Sequence, residues 1–142
     1  MLLVTHAALT WALVGLILTI QVVHYPLFAR VGTGGYAAYQ QEHVTRITWL
    51  VAPLMLAELG TGAALVLFRP PALPAVSVWL GLALIVLIWG STALVQSPTH
   101  GQLAAGFDAA LHARLVRTNL LRTVLWVARG VLAGWWLLRW GA

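Results

Sequence analysis

Cysteine is absent from this chain, and so is lysine: all eight basic residues are arginine. Without cysteine there is no disulfide, no thiolate metal cluster, no c-type haem attachment and no cysteine nucleophile. Without lysine there is no Schiff base to retinal, so a light sensor of that kind is excluded despite eight tryptophans. Acids are scarce too; Glu42, Glu58 and Asp108 are the only three. Charged residues make up 8% of the chain, against about 25% in a soluble domain. So few charges cannot coat a water-exposed surface. A Ser-His-Asp pattern, a His-Glu-x-x-His helix and a phosphate loop are all missing, which removes support for hydrolysis and phosphoryl transfer. The formal charge of +5 does not point to nucleic acid. The arginines are spread thinly between apolar runs and form no basic stripe.

Hydrophobic residues, by contrast, make up 61% of the 142 positions, and mean hydropathy is +0.90. The chain is one domain with four long apolar stretches, and the lipid bilayer is the implied partner. The expected spans cover about 2–24, 38–68, 75–96 and 108–139. The first lacks a basic leader and a cleavage site, so it reads as a retained span. Pro26 closes it, the prolines at 70, 71 and 74 break the second, and Pro98 closes the third. Each stretch approaches the ~20 residues needed to cross a bilayer as helix. The runs do not alternate, which excludes strands. Short loops imply antiparallel neighbours. The fold expected is therefore all-α, a four-transmembrane-helix up-down bundle.

With an even number of spans, both termini share one end, here called end Y. Loops 25–36 and 97–106 lie at the opposite end, X. Trp79, Trp135, Trp136 and Trp140 form an expected interfacial belt near end Y. Arg30, Arg46, Arg114, Arg117 and Arg122 gather toward end X, and only Arg69 and Arg139 toward end Y. The positive-inside bias then makes loops 25–36 and 97–106 cytoplasmic. The two hairpins also resemble each other. Gln21, His24, Pro26, Tyr36, His43 and Arg46 have counterparts in Gln96, Pro98, His100, Phe107, His112 and Arg114 or Arg117. That suggests an old duplication, with the matched histidines around a pseudo-two-fold axis.

Four of the five histidines, His24, His43, His100 and His112, map to the X ends of four different helices. Imidazole ligates metals and haem, and bundles build such sites from facing helices. The plainer alternative is four independent interfacial residues. Haem b or a mononuclear transition metal would suit some of these histidines, with Arg46, Arg114, Arg117 and Arg122 available to propionates. A carboxylate-bridged di-iron site lacks its acids. A quinone or another flat apolar substrate would also fit, with Trp49, Trp89, Tyr25 and Tyr39 as lining.

A second constellation lies within the membrane. Glu58 and Arg129 sit near the middle of spans two and four, at matching depth. A lone charge there costs at least ~2.5–3.5 kcal/mol, so the two are expected to pair or share a polar pocket. Arg122 lies two turns before Arg129, with Trp126 between and Asn119 and His112 extending the stripe. The facing stripe on span two reads His43, Arg46, Pro53 and Glu58. An excess of cation over anion would suit an anionic or enolate-like ligand. The structural alternative is an ion pair that fixes helix register. Glycines, among them Gly81 and Gly130, allow close helix approach.

The stretches Gln21-Val-Val-His24-Tyr25-Pro26-Leu27-Phe28, Tyr39-x-x-x-His43-x-x-Arg46 and Pro53-Leu-Met55-Leu-Ala-Glu58 have a familiar form. So do Gly106-Phe107-Asp108 with His112, Asn119-x-x-Arg122-Thr123 and Trp126-x-x-Arg129. Together they resemble a group of small four-helix bacterial membrane proteins mostly described as uncharacterised. The resemblance covers nearly the whole chain and implies the four-span fold and a bacterial inner-membrane location. In size and span count the chain is also similar to the anthrone oxygenases and to the haem-binding membrane protoporphyrinogen oxidases. His6 could stand for the first-span histidine of the latter, whose charged final segment is not evident here. No catalytic residue carries over from either.

The leading expectation is a haem- or metal-dependent oxidoreductase acting on an apolar small molecule from the bilayer. Two alternatives stand beside it. One is a non-enzymatic subunit of a homo-oligomer. The other is a small transporter for a weak acid, with Glu58 and Arg129 as a structural or conducting pair.

Overall fold

A computed structural model describes residues 1–141. It consists of four helices: α1 Leu2–Phe28, α2 Tyr36–Leu67, α3 Ala75–Leu103 and α4 Ala109–Gly141, each long and apolar enough to cross a membrane. No strand occurs among the described residues. Successive helices run antiparallel and pack as neighbours, and α4 closes the square against α1. Large apolar side chains face outward along the length of the bundle, including Trp49, Leu50, Leu87, Leu94, Leu121 and Val131. A water-soluble bundle would not leave so continuous an apolar exterior. The chain is a small integral membrane protein.

The connections follow local chemistry. Gly32 takes φ +83°, a left-handed conformation that glycine adopts without strain, in the turn between α1 and α2. The Arg69 guanidinium donates to the Leu73 carbonyl and closes the proline-rich loop. The Asp108 carboxylate accepts the Leu111 N–H at 2.7 Å, capping α4.

Two helices are longer than the sequence suggests, because Pro26 and Pro98 do not end them. Each proline follows a π turn, Ile20–His24 in α1 and Thr92–Gln96 in α3. There the Tyr25 N–H bonds to the Ile20 carbonyl, and the Ser97 N–H to the Thr92 carbonyl. A proline ring in an α-helix strikes the carbonyl four residues back. The wider π turn makes room for it, so the helix continues. Turn and proline have the same spacing in both hairpins. That register pairs His24 with Gln96 and Phe28 with His100, so the histidines are not symmetry mates as the sequence pattern suggested.

The core is layered. Leu3, Leu65, Leu73, Val78 and Trp136 pack near end Y. Leu13, Val14, Ile17, Met55, Ile88 and Trp126 form the middle. Ile20, Tyr25, Phe28, Tyr36, Leu103 and Leu115 pack near end X. Trp136 is thus a core residue and not part of an interfacial belt; its indole N–H donates to Ser77 Oγ at 3.1 Å. Polar side chains lie between the apolar layers, as two separate networks.

Candidate functional site

The first network surrounds Arg129, between the end Y and middle layers. Its Nη2 donates to Glu58 Oε1 at 3.1 Å and to His6 Nε2 at 2.5 Å. Its Nη1 donates to the Gly81 carbonyl at 3.1 Å. The Thr10 hydroxyl donates to the same Glu58 oxygen at 2.8 Å. His6 Nδ1 lies 2.8 Å from Thr61 Oγ1, and that hydroxyl is already committed to the Ala57 carbonyl at 2.8 Å. Thr61 therefore accepts, the His6 hydrogen sits on Nδ1, and Nε2 is free to accept from Arg129. His6, Thr10, Glu58 and Arg129 all have 0% exposure. All four helices contribute, one cation meets one anion, and the pairing expected of Glu58 and Arg129 is present. Gly81 leaves the room required: a Cβ there would lie 2.5 Å from Trp136 Cη2 and 2.8 Å from Arg129 Nη1.

The second network surrounds Arg122, between the middle and end X layers. Arg122 is 7% exposed, and no carboxylate pairs with it among the described residues. Its Nη1 donates to Asn119 Oδ1 at 3.1 Å, and Asn119 Nδ2 donates to Gln21 Oε1 at 2.8 Å. Trp126 packs beside it in the middle layer. Arg122 Nε has no partner at all. Two other buried N–H groups share that condition, Gln96 Nε2 and Trp89 Nε1.

All three side chains line one cleft of about 520 Å³ between α2 and α3. Along α2 it runs from Gln41 to Met55, about 21 Å at the rise of an α-helix. Val44, Ile47, Val51 and Met55 make the α2 wall apolar. Tyr25 and His100 complete the polar part, and the lining contains no acid. Thr45, Thr48, Ser97 and Gly101, which also line it, are exposed on the flank of the bundle. The cleft therefore opens sideways toward the bilayer.

Three of the four end X histidines come together. The ring centroids of His24 and His43 are 4.8 Å apart, and those of His43 and His100 are 5.4 Å apart. His24 Nε2 lies 3.0 Å from His43 Nδ1. His100 is bonded at both nitrogens, to Tyr25 Oη at 2.8 Å and to Gln40 Nε2 at 2.7 Å. His112 stands apart and donates from Nε2 to the Tyr25 carbonyl at 2.8 Å, which ties α4 to the segment beyond the π turn. Among the described residues no set of three or more His, Cys, Asp or Glu side chains gathers as a metal site. His43 Nε2 is the one histidine nitrogen that is buried without a partner.

Arg46 does not join the buried stripe. It bonds Glu42 at 2.7 Å, with both side chains mostly exposed. Pro53 is exposed as well. Sequence reasoning missed His6, Thr10, Gln21, Gln40 and Gln96 as functional neighbours. Thr10 lies four residues after His6, which is one signal that was present: two polar side chains on one face of an apolar helix. No protein-family model, no curated protein and no solved structure matches this chain.

Proposed function

We propose that the protein takes a lipid-soluble weak acid from the bilayer into the cleft between α2 and α3 and holds it there as an anion on Arg122. One observation carries this reading: three buried N–H donors without partners line a single apolar cleft. A buried donor left unmade costs about 1–3 kcal/mol, more if charged. An apolar molecule with an anionic oxygen head supplies the kind of acceptor these donors lack. Charge supports the same reading, since Glu58 is spent on Arg129 and nothing balances Arg122. Depth argues for a free acid over a phospholipid. Arg122 lies three residues from the middle of α4, about 5 Å along the axis, and is buried inside the bundle. The exposed arginines at end X, Arg30, Arg46, Arg114 and Arg117, support a cytoplasmic placement of that end.

The test uses nanodisc-embedded protein and a decyl-substituted nitrophenol, whose phenolate absorbs visible light. At a pH where the free probe is protonated, wild type should bind it saturably and show the phenolate band. Arg122→Met should weaken binding about 10- to 100-fold, the value of a charge-assisted hydrogen bond. Equal binding by wild type, Arg122→Met and empty nanodiscs would sink the proposal.

A second reading is oxidation of the bound molecule by haem b or a transition metal. It is favoured by His43 Nε2, a buried imidazole nitrogen with no partner. An absorption spectrum with elemental analysis of purified protein tests it; no haem band and no stoichiometric metal would remove it.

A further inference from the structure

We infer that His24, His43 and His100 form a proton route that joins the weak-acid cleft to a separate groove at end X, between α1 and α2. The inference rests on the reading of the cleft given above.

The need for a route comes from the cleft's composition. A weak acid arriving through lipid arrives neutral. To become an anion on Arg122 it must release one proton. Tyr25, His100 and Arg122 are the only ionisable side chains in the lining. An arginine at ordinary pH has no vacancy for a proton. Among the lining side chains, only the Tyr25–His100 pair can take the proton.

That pair can pass it on. Tyr25 Oη and His100 Nε2 are in hydrogen-bond contact at 2.8 Å. On its other side His100 meets the Gln40 amide, whose Oε1 is buried and unpartnered. An amide can present either end to an imidazole. Gln40 thus accommodates the hydrogen on either nitrogen of His100, which a relaying imidazole requires.

The next member is His43. The His43 and His100 centroids are 5.4 Å apart, so the transfer between them requires ring rotation and release of the His100 bond to Gln40. His43 Nε2 is the nitrogen with no existing bond to break. From there His43 Nδ1 is 3.0 Å from His24 Nε2. Each imidazole takes a proton on one nitrogen and releases another from the opposite nitrogen, and a ring flip restores the starting tautomer before the next transfer.

The far end is open. His24 and His43 line a groove of about 420 Å³ together with Tyr39, Glu42 and Arg46. Glu42 lies six residues into α2, about 9 Å from its end X start, and its side chain is 62% exposed. Phe28, with no exposed surface, packs its ring 4.9 Å from His43 and 5.1 Å from His24. It covers the histidine chain with an apolar ring and limits competing water. The charged groups facing the route are therefore Glu42 and Arg46 at the groove and Arg122 at the cleft. His112 faces away to the Tyr25 carbonyl.

The experiment mixes neutral decyl-nitrophenol with nanodisc-embedded protein in a stopped-flow absorbance instrument. The final phenolate amplitude reports binding, and its rate reports loss of the proton. His43→Phe should slow the rate tenfold or more with the amplitude intact. His24→Ala, at a half-buried groove position, should slow it in the same way, and free imidazole in the buffer should restore it. A purely structural role for His24 would show no such rescue. Wild-type rates in the variants that retain full amplitude would overturn the route alone. Absence of any phenolate band in wild type would overturn the cleft reading and the route with it.

Discussion

Two arginines seven residues apart on α4 are both buried, yet their surroundings are opposite. Arg129 is enclosed by Glu58, His6, Thr10 and the Gly81 carbonyl. Arg122 has Asn119 and an apolar cleft. One cluster is balanced in charge and meets every nitrogen of its arginine, with only Glu58 Oε2 left unpartnered. The other has donors to spare and space beside them. Burial of an arginine in a membrane bundle is therefore not by itself a sign of a site. What distinguishes the two is whether the neighbours complete its hydrogen bonds.

The comparison can be broken most forcefully at Glu58. Glu58→Leu leaves Arg129 buried and unpaired, and should cost about 3–5 kcal/mol. Adding Arg129→Met should recover most of that loss, because an apolar replacement of a whole buried pair is often neutral. Unfolding of the reconstituted variants checks both statements. Gly81→Ala should come next, at about 1–3 kcal/mol, since its Cβ would press on Trp136 and Arg129. Arg122→Met should do the reverse of Glu58→Leu. Removing an unsatisfied cation should leave stability unchanged or about 1 kcal/mol higher, while probe binding is lost. If Arg122→Met unfolds the protein as Glu58→Leu does, the two networks are alike after all. The smallest effect belongs to Arg46→Ala. Its exposed pair with Glu42 is worth less than about 0.5 kcal/mol, visible only as a slight shift in the melting curve.

The four spans were legible because each is a long apolar run between clear breaks. The Glu58–Arg129 pair was legible for a related reason: single charges at matching depth in apolar helices have few other solutions. The cleft was not. A helix apolar on every side gives no periodic signal for which side faces protein, so Arg46 read as equivalent to His43. Trp89 read as lining for a flat apolar substrate and Gln96 as a helix end, but nothing local marks either N–H as unmet. Gly81 read as a packing residue, whereas its missing Cβ gives Arg129 a carbonyl to bond. The continuation past Pro26 and Pro98 was hidden too, since a π turn depends on one extra residue that has no distinctive side chain.

That extra residue has a consequence for how such a site arises and can be edited. In an α-helix one residue is about 100° of rotation. The π turn at Ile20–His24 takes up that rotation for everything after it, Tyr25 and Phe28 included. Deleting Val23 would return the segment to ordinary helix and leave Tyr25 facing His100 much as it does now, because the wide turn already absorbs the one residue removed. The polar end of this bundle can thus gain or lose a residue upstream without turning its side chains away.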